Sequence, residues 1–191
     1  MNQAHLVLQR AVETHHALTR AGVRNAIGGA LALGYHVDDA RSTQDIDLNI
    51  TLPKESAAQA LEALPADVPW DQPHLQAILR DGQVRIMWPV PDEPPMPLDL
   101  FFAEHAFHHV VADRTITVPM LDAQIQVLSA TDLVVFKSLF DRRKDWADIE
   151  EVVRHAPPSF DLAEAVRWLI EILGPEDSRI ATLRSLAAEF A

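Results

Sequence analysis

The stretch Gly28-Gly29-Ala30-Leu31-Ala32, followed by Arg41-Ser42-Thr43-Gln44-Asp45-Ile46-Asp47-Leu48, decides how this chain is read. A small-residue turn precedes a D-x-D pair inside an apolar run. In a strand, side chains two positions apart point to one face, so Asp45 and Asp47 project together while Ile46, Leu48 and Ile50 cover the other. Neighbouring carboxylates repel unless a cation lies between them. Hard oxygen donors of this kind suit Mg²⁺, which keeps positions for waters and substrate phosphates. A lone D-x-D is also an ordinary turn or cap feature, so the reading needs support from elsewhere in the chain.

That support is Leu98-Asp99-Leu100-Phe101-Phe102, an apolar strand with one carboxylate in it. Burying Asp99 there is costly unless it is paired or bound to metal. If its strand lies beside that of Asp45 and Asp47, three carboxylates meet at one edge of a sheet. Such a trio can hold two Mg²⁺ ions across an in-line phosphoryl displacement, and the third carboxylate can accept the proton of an attacking hydroxyl.

Around these residues the periodicity predicts a mixed α/β core followed by a helical tail. Residues 6–18 form an amphipathic helix ended by Gly22, and 23–27 a short strand running into Gly28. A brief helix over 30–35, a strand over 46–52 and a helix over 54–64 follow. Pro69, Pro73, Pro89, Pro91, Pro94, Pro95 and Pro97 punctuate 65–97, which predicts loops around a strand at Val84–Trp88. Further strands are expected at 98–102, 114–118 and 125–128. Helices are expected over 131–141, 145–155, 161–173 and 176–190, with Thr131 or Ser129 as the first N-cap. The division expected is a core over 1–128 and a helical region over 129–191.

Composition narrows the function classes. With 191 residues, 48% of them hydrophobic, the chain has material for a core. It has no cysteine, hence no disulfide and no thiolate metal site. The net charge of −12 argues against general nucleic-acid binding, although Arg142-Arg143-Lys144 is a local basic patch. No apolar run is long enough for a bilayer and no signal segment is visible, so the expected location is the cytoplasm, without a membrane partner.

In order and context, these elements resemble the nucleotidyltransferase superfamily (polymerase-β-like), most closely its AbiEii-type minimal members from bacterial toxin–antitoxin systems. The resemblance rests on Gly28-Gly29, Arg41-Ser42-Thr43-Gln44-Asp45-Ile46-Asp47, Leu98-Asp99-Leu100-Phe101, and a later element, Asp132-Leu133-Val134-Val135-Phe136-Lys137 through Arg142-Arg143-Lys144-Asp145-Trp146-Ala147-Asp148-Ile149. It spans residues 23–152. It implies an α+β fold: a nucleotidyltransferase-like mixed sheet flanked by helices, with a C-terminal helical region completing the site. It further implies transfer of an NMP from an NTP to a hydroxyl of tRNA, protein or a small molecule, with Mg²⁺ on Asp45, Asp47 and Asp99. A toxin role held in check by an antitoxin protein belongs to the same expectation.

The resemblance also distributes nucleotide contacts. Gly28 and Gly29 let backbone approach a triphosphate, although Ala30 stands where many relatives carry serine. Lys137 is the candidate cation for the NTP phosphates, or a lysine snorkelling from a half-buried face. Asp145 and Asp148 share a helix face and either orient Lys137 or Arg142 or supply charge to the helix dipole. Arg41 and Thr43 touch phosphate or order the turn before the strand. His105, His108 and His109 fit partly exposed histidines better than a zinc site, since no HExxH pattern or cysteine accompanies them. The competing function class is a nucleotidyltransferase-like domain that binds nucleotide or protein without turnover.

Overall fold

The computed structural model describes residues 3–38, 42–104 and 106–190; Arg41 and His105 lie outside the described residues. The chain divides into two compact units, one from the residues up to Leu31 with Ser42–Val127, the other from the segment beginning at Ala32 with Leu128 onward.

The first unit opens with α1 (Gln3–Arg20), β1 (Asn25–Ile27) and the start of α2 (Gly29–Leu33). It resumes with β2 (Ile46–Pro53), a 3₁₀ turn at Lys54–Ser56, α3 (Ala57–Glu62), α4 (Gln72–Asp81), β3 (Gln83–Val90), β4 (Glu93–Ala103), α5 (Ala106–Asp113), β5 (Ile116–Met120) and β6 (Ala123–Val127). The strands form one mixed sheet in the order β3-β4-β2-β1-β6-β5. Neighbours β1–β2, β3–β4 and β5–β6 run antiparallel, whereas β2–β4 and β1–β6 run parallel.

Strand alternation assigns the two faces. Ile46, Leu48 and Ile50 of β2, Leu98, Leu100 and Phe102 of β4, and Ile86 and Trp88 of β3 are all buried. α1 packs on β1, β2 and β6 and buries Val7, Ala11 and Leu18. Its Arg10 donates from Nη2 to the Pro89 carbonyl at 2.6 Å and stacks over the Trp88 ring, fastening the helix to the end of β3. β3 alternates strictly between exposed and buried, so Gln83, Arg85 and Met87 emerge on the other face.

The region expected as loops is more ordered than its prolines suggest. Asp71 accepts the His74 N–H at 3.1 Å while its own N–H reaches His74 Nδ1, a reciprocal cap that starts α4. Gly82, at φ +66, ends the helix in the left-handed conformation. β4 likewise begins at Glu93 and includes Pro94, Pro95 and Pro97. Over that stretch β4 pairs with β3 alone, and pairing with β2 starts at Leu98, so a missing N–H costs little on the open side. α5 is a helix where the sequence predicts a strand-to-loop passage, and it carries His108 and His109.

The second unit is built on α6 (Ala130–Phe140), α7 (Arg143–His155), α8 (Leu162–Leu173) and α9 (Ser178–Glu189). Ser129 is the N-cap of α6: its Oγ accepts the Asp132 N–H at 3.1 Å and donates to the Asp132 carboxylate at 2.6 Å. Thr131 does different work. Its hydroxyl donates to the Ser159 carbonyl at 2.9 Å and accepts the Asp161 N–H at 2.8 Å, tying the start of α6 to the turn before α8. No helix among the described residues is long and apolar enough to cross a membrane.

Candidate active site

Parallel pairing of β2 with β4 puts Asp47 directly opposite Asp99, and antiparallel pairing of β4 with β3 puts Arg85 opposite Asp99. Residues opposite one another in a sheet share a face. The result is a row, Asp47–Asp99–Arg85, across three adjacent strands, with Asp45 just ahead of β2. The approach to β2 is ordered by Thr43, whose hydroxyl accepts the Asp45 N–H at 3.1 Å. Thr43 therefore orders the turn, one of the two roles open to it from sequence.

The Gly28-Gly29 turn closes on the same residues. The Gly28 N–H donates to the Asp47 carbonyl at 2.8 Å. Gly29 has φ +56, and a Cβ built there would overlap Oδ2 and Cγ of Asp47. Glycine is required twice over, once by the backbone conformation and once by the carboxylate lying against it. The two glycines and the D-x-D are thus one local structure in which the turn backs the Asp47 carboxylate.

Arg85 is the residue that sequence reasoning missed. Its Nε donates to Asp99 Oδ1 at 2.8 Å and its Nη2 to Asp99 Oδ2 at 2.6 Å, a bidentate pair. Nη2 also lies 3.5 Å from Asp45 Oδ2. Hydrogen bonding to Asp99 holds the guanidinium protonated well beyond its usual range, and the charges of Asp99, Asp45 and Asp47 add to that. Asp99 is only 8% exposed, so it needs this partner. The sequence signal was the solitary aspartate itself, which called for a cation on a neighbouring strand.

These residues suit a divalent ion in part. Asp45 and Asp47 offer hard oxygen donors on one face, and the glycine turn leaves room for the Asp47 carboxylate and nothing larger behind it. Both Asp99 oxygens already accept from Arg85. Among the described residues no group of three His, Asp or Glu side chains converges as a ready-made metal cage. A cavity of about 210 Å³ elsewhere in the first unit, lined by Leu6, Arg10, Gln44, Pro94 and Met96 among others, shares no residue with the row.

Lys137, Asp145 and Asp148, also singled out from sequence, lie in the second unit. Lys137 is 3% exposed, and its Nζ donates to Asp148 Oδ2 at 2.6 Å, with Asp145 Oδ1 3.9 Å away. Asp145 accepts from Arg142 Nε at 2.6 Å and from the Arg142 N–H at 3.3 Å. Of the alternatives left by sequence, Asp148 therefore takes Lys137, while Asp145 takes Arg142 and caps α7. Of the histidines, His109 is exposed and His108 half-buried.

No family model matches the sequence, and comparison with curated proteins finds no match. Solved structures do match. An antigenic nucleotidyltransferase-like protein from Paracoccidioides brasiliensis aligns with a TM-score of 0.50 at 15% identity, covering 94% of this chain and 92% of its own. A provisionally assigned nucleotidyltransferase from H. pylori aligns with a TM-score of 0.50 at 16% identity, covering 100% of this chain and 92% of its own. At such identities the likeness speaks to architecture alone. With its mixed six-stranded sheet and C-terminal helices, this chain has a nucleotidyltransferase-like α+β fold.

Proposed function

We propose that this chain is a Mg²⁺-dependent nucleotidyltransferase that moves an NMP from an NTP to a hydroxyl acceptor. The observation that carries the reading is the register of Asp47 on Asp99, with the Gly28-Gly29 turn closed against Asp47. In this reading Asp45 and Asp47 hold the ion. When bound, Mg²⁺ supplies charge neutralisation at the phosphates. Asp99 faces the attacking hydroxyl. A carboxylate has about four lone-pair sites, so one that accepts two guanidinium hydrogens still has room for a hydroxyl hydrogen. The hydroxyl oxygen bonds to the α-phosphorus, its proton passes to Asp99, and the bond to the β-phosphate breaks to release pyrophosphate.

The acceptor is better sought among proteins and small molecules than among tRNAs. The net charge is −12, and the first residue of the one basic run, Arg142, is engaged by Asp145. Phosphate recognition on a nucleic acid depends on available Lys and Arg side chains. The AbiEii-type likeness, with a toxin role and an antitoxin partner, belongs to this same proposal.

The test is label transfer. The full chain is incubated with Mg²⁺ and each α-³²P-labelled NTP, alongside Asp45→Asn and Asp47→Asn variants, with candidate acceptors in turn. Transfer is expected from the parent chain and a loss of at least about 100-fold in either variant, the range for removal of a group that stabilises transition-state charge. Equal transfer by parent and both variants refutes the site. NTP binding without transfer to any acceptor favours a non-catalytic binding domain.

A further inference from the structure

We propose that Arg85 is a built-in cation standing where a second divalent ion would otherwise be held, so that the site takes one Mg²⁺ and not two. The inference rests on the metal reading above and refines it. Three observations carry it.

First, both oxygens of Asp99 are engaged by Arg85, which leaves lone pairs for a hydroxyl hydrogen but sets a fixed positive charge beside any ion that would bridge to Asp47. Both carboxylate oxygens accept guanidinium hydrogens, at 2.8 and 2.6 Å, in the fork geometry that is hardest to displace. Second, one fixed cation already lies in the field of all three carboxylates. Arg85 is tied to all three of them, by hydrogen bonds to Asp99, by a 3.5 Å contact to Asp45, and by the field of Asp47.

Third, the guanidinium is anchored on one side and open on the other. Its Nε and Nη2 face the carboxylates, Nη1 bonds to no described residue, and the side chain is 53% exposed. An arginine placed only to neutralise a buried aspartate has no need of an open flank. An arginine that also meets phosphate oxygens does, and a guanidinium can serve both with parallel N–H groups. The first ion then rests on Asp45 and Asp47, and Arg85, positioned by Asp99, meets the triphosphate in place of the second.

The test counts ions without relying on activity. Mn²⁺ is titrated into the full chain, and free Mn²⁺ is read by its electron paramagnetic resonance signal. One Mn²⁺ per chain is expected for the parent and for Arg85→Lys, which keeps the charge. Two are expected for Arg85→Gln, where Asp99 is released, with the first dissociation constant about tenfold or more lower because a repelling charge has gone. Circular dichroism of each variant establishes that it is folded; if Arg85→Gln is not, Arg85→Met is counted in its place. Two ions in the parent chain, or one ion in both Arg85→Gln and Arg85→Met, overturns the inference while leaving the metal reading standing. No Mn²⁺ bound by the parent or any folded variant overturns both.

Discussion

Replacing Gly29 with alanine tests the core of the site, because two separable costs act at that position. The backbone is at φ +56, where a Cβ meets the following carbonyl, and this costs about 1–2 kcal/mol. The new methyl would also overlap Oδ2 and Cγ of Asp47, with Asp47 Cβ at 3.0 Å. The carboxylate must turn off its rotamer, at about 1 kcal/mol or more. The lower entropy of the unfolded alanine chain returns about 0.4–1 kcal/mol. The net expectation is a loss of about 2 kcal/mol in unfolding free energy, read from urea denaturation at constant m-value.

Two comparisons separate these costs. Gly22 has φ +75, and a Cβ added there would meet no atom within 4 Å, so Gly22→Ala carries the backbone cost alone. Asp47→Ala removes Oδ2 and Cγ, so Gly29→Ala introduced into that background should cost about 1 kcal/mol less than in the parent chain, a coupling that a double-mutant cycle isolates. Gly29→Ala should also abolish Mn²⁺ binding, since Asp47 must vacate its place. An equal cost in the two backgrounds, together with a cost no greater than that of Gly22→Ala, would show that the turn does not back the Asp47 carboxylate.

Two further outcomes follow from buried polar groups. Lys137→Met should destabilise the chain by about 3–5 kcal/mol in urea, because it removes the cation bonded to the buried Asp148 carboxylate, and adding Asp148→Leu should restore most of that loss; a single-variant cost below about 1 kcal/mol would contradict the buried pair. His15 and His36 are buried, and desolvation lowers the pKa of each, partly opposed by hydrogen bonds to Asn25 and to the Leu128 carbonyl respectively. Their neutral forms are favoured in the folded chain, so the stability they contribute is complete above the unfolded value of about 6.5 and is lost as pH falls below it, by no more than about 2 kcal/mol each at pH 5. His36→Gln should flatten urea stability measured between pH 7 and 5, and an unchanged slope would mean that His36 is not held neutral.

The carboxylates were legible in the sequence for two reasons. Asp45 and Asp47 share the polar phase of an alternation whose apolar phase is Ile46, Leu48 and Ile50, and Asp99 is a charge in a run that otherwise reads as core. The fold was legible for a related reason: the elements expected around them have the apolar period of a sheet face or a helix stripe, and most form with ends displaced by a few residues. α4 was missed because proline density outweighed a local cap, Asp71 with His74, that only becomes visible once the helix is assumed. Lys137 drew attention as a cation among apolar neighbours, and the structure supplies its partner from α7, one helix along, where sequence offered two candidates for it.

Arg85 was hidden by register, and the reason is specific. Counting outward from a tight turn between Val90 and Glu93 pairs Arg85 with Leu98, a core residue, and pairs Asp99 with Val84. That register sets a charge against the core face of β4 and gives Asp99 no cation. The hairpin escapes the conflict by a shift between Trp88 and Val90, beyond which Trp88 pairs with Met96 and Arg85 with Asp99. One extra residue in a strand turns every later side chain to the other face. Here it aligns Val84, Ile86 and Trp88 with Leu100, Leu98 and Met96 in the core, and in the same movement brings Arg85 over Asp99. Apolar burial and the demand of a buried carboxylate for a counter-charge thus select the same register, and either one, applied to β3 before the turn was counted, would have found the arginine.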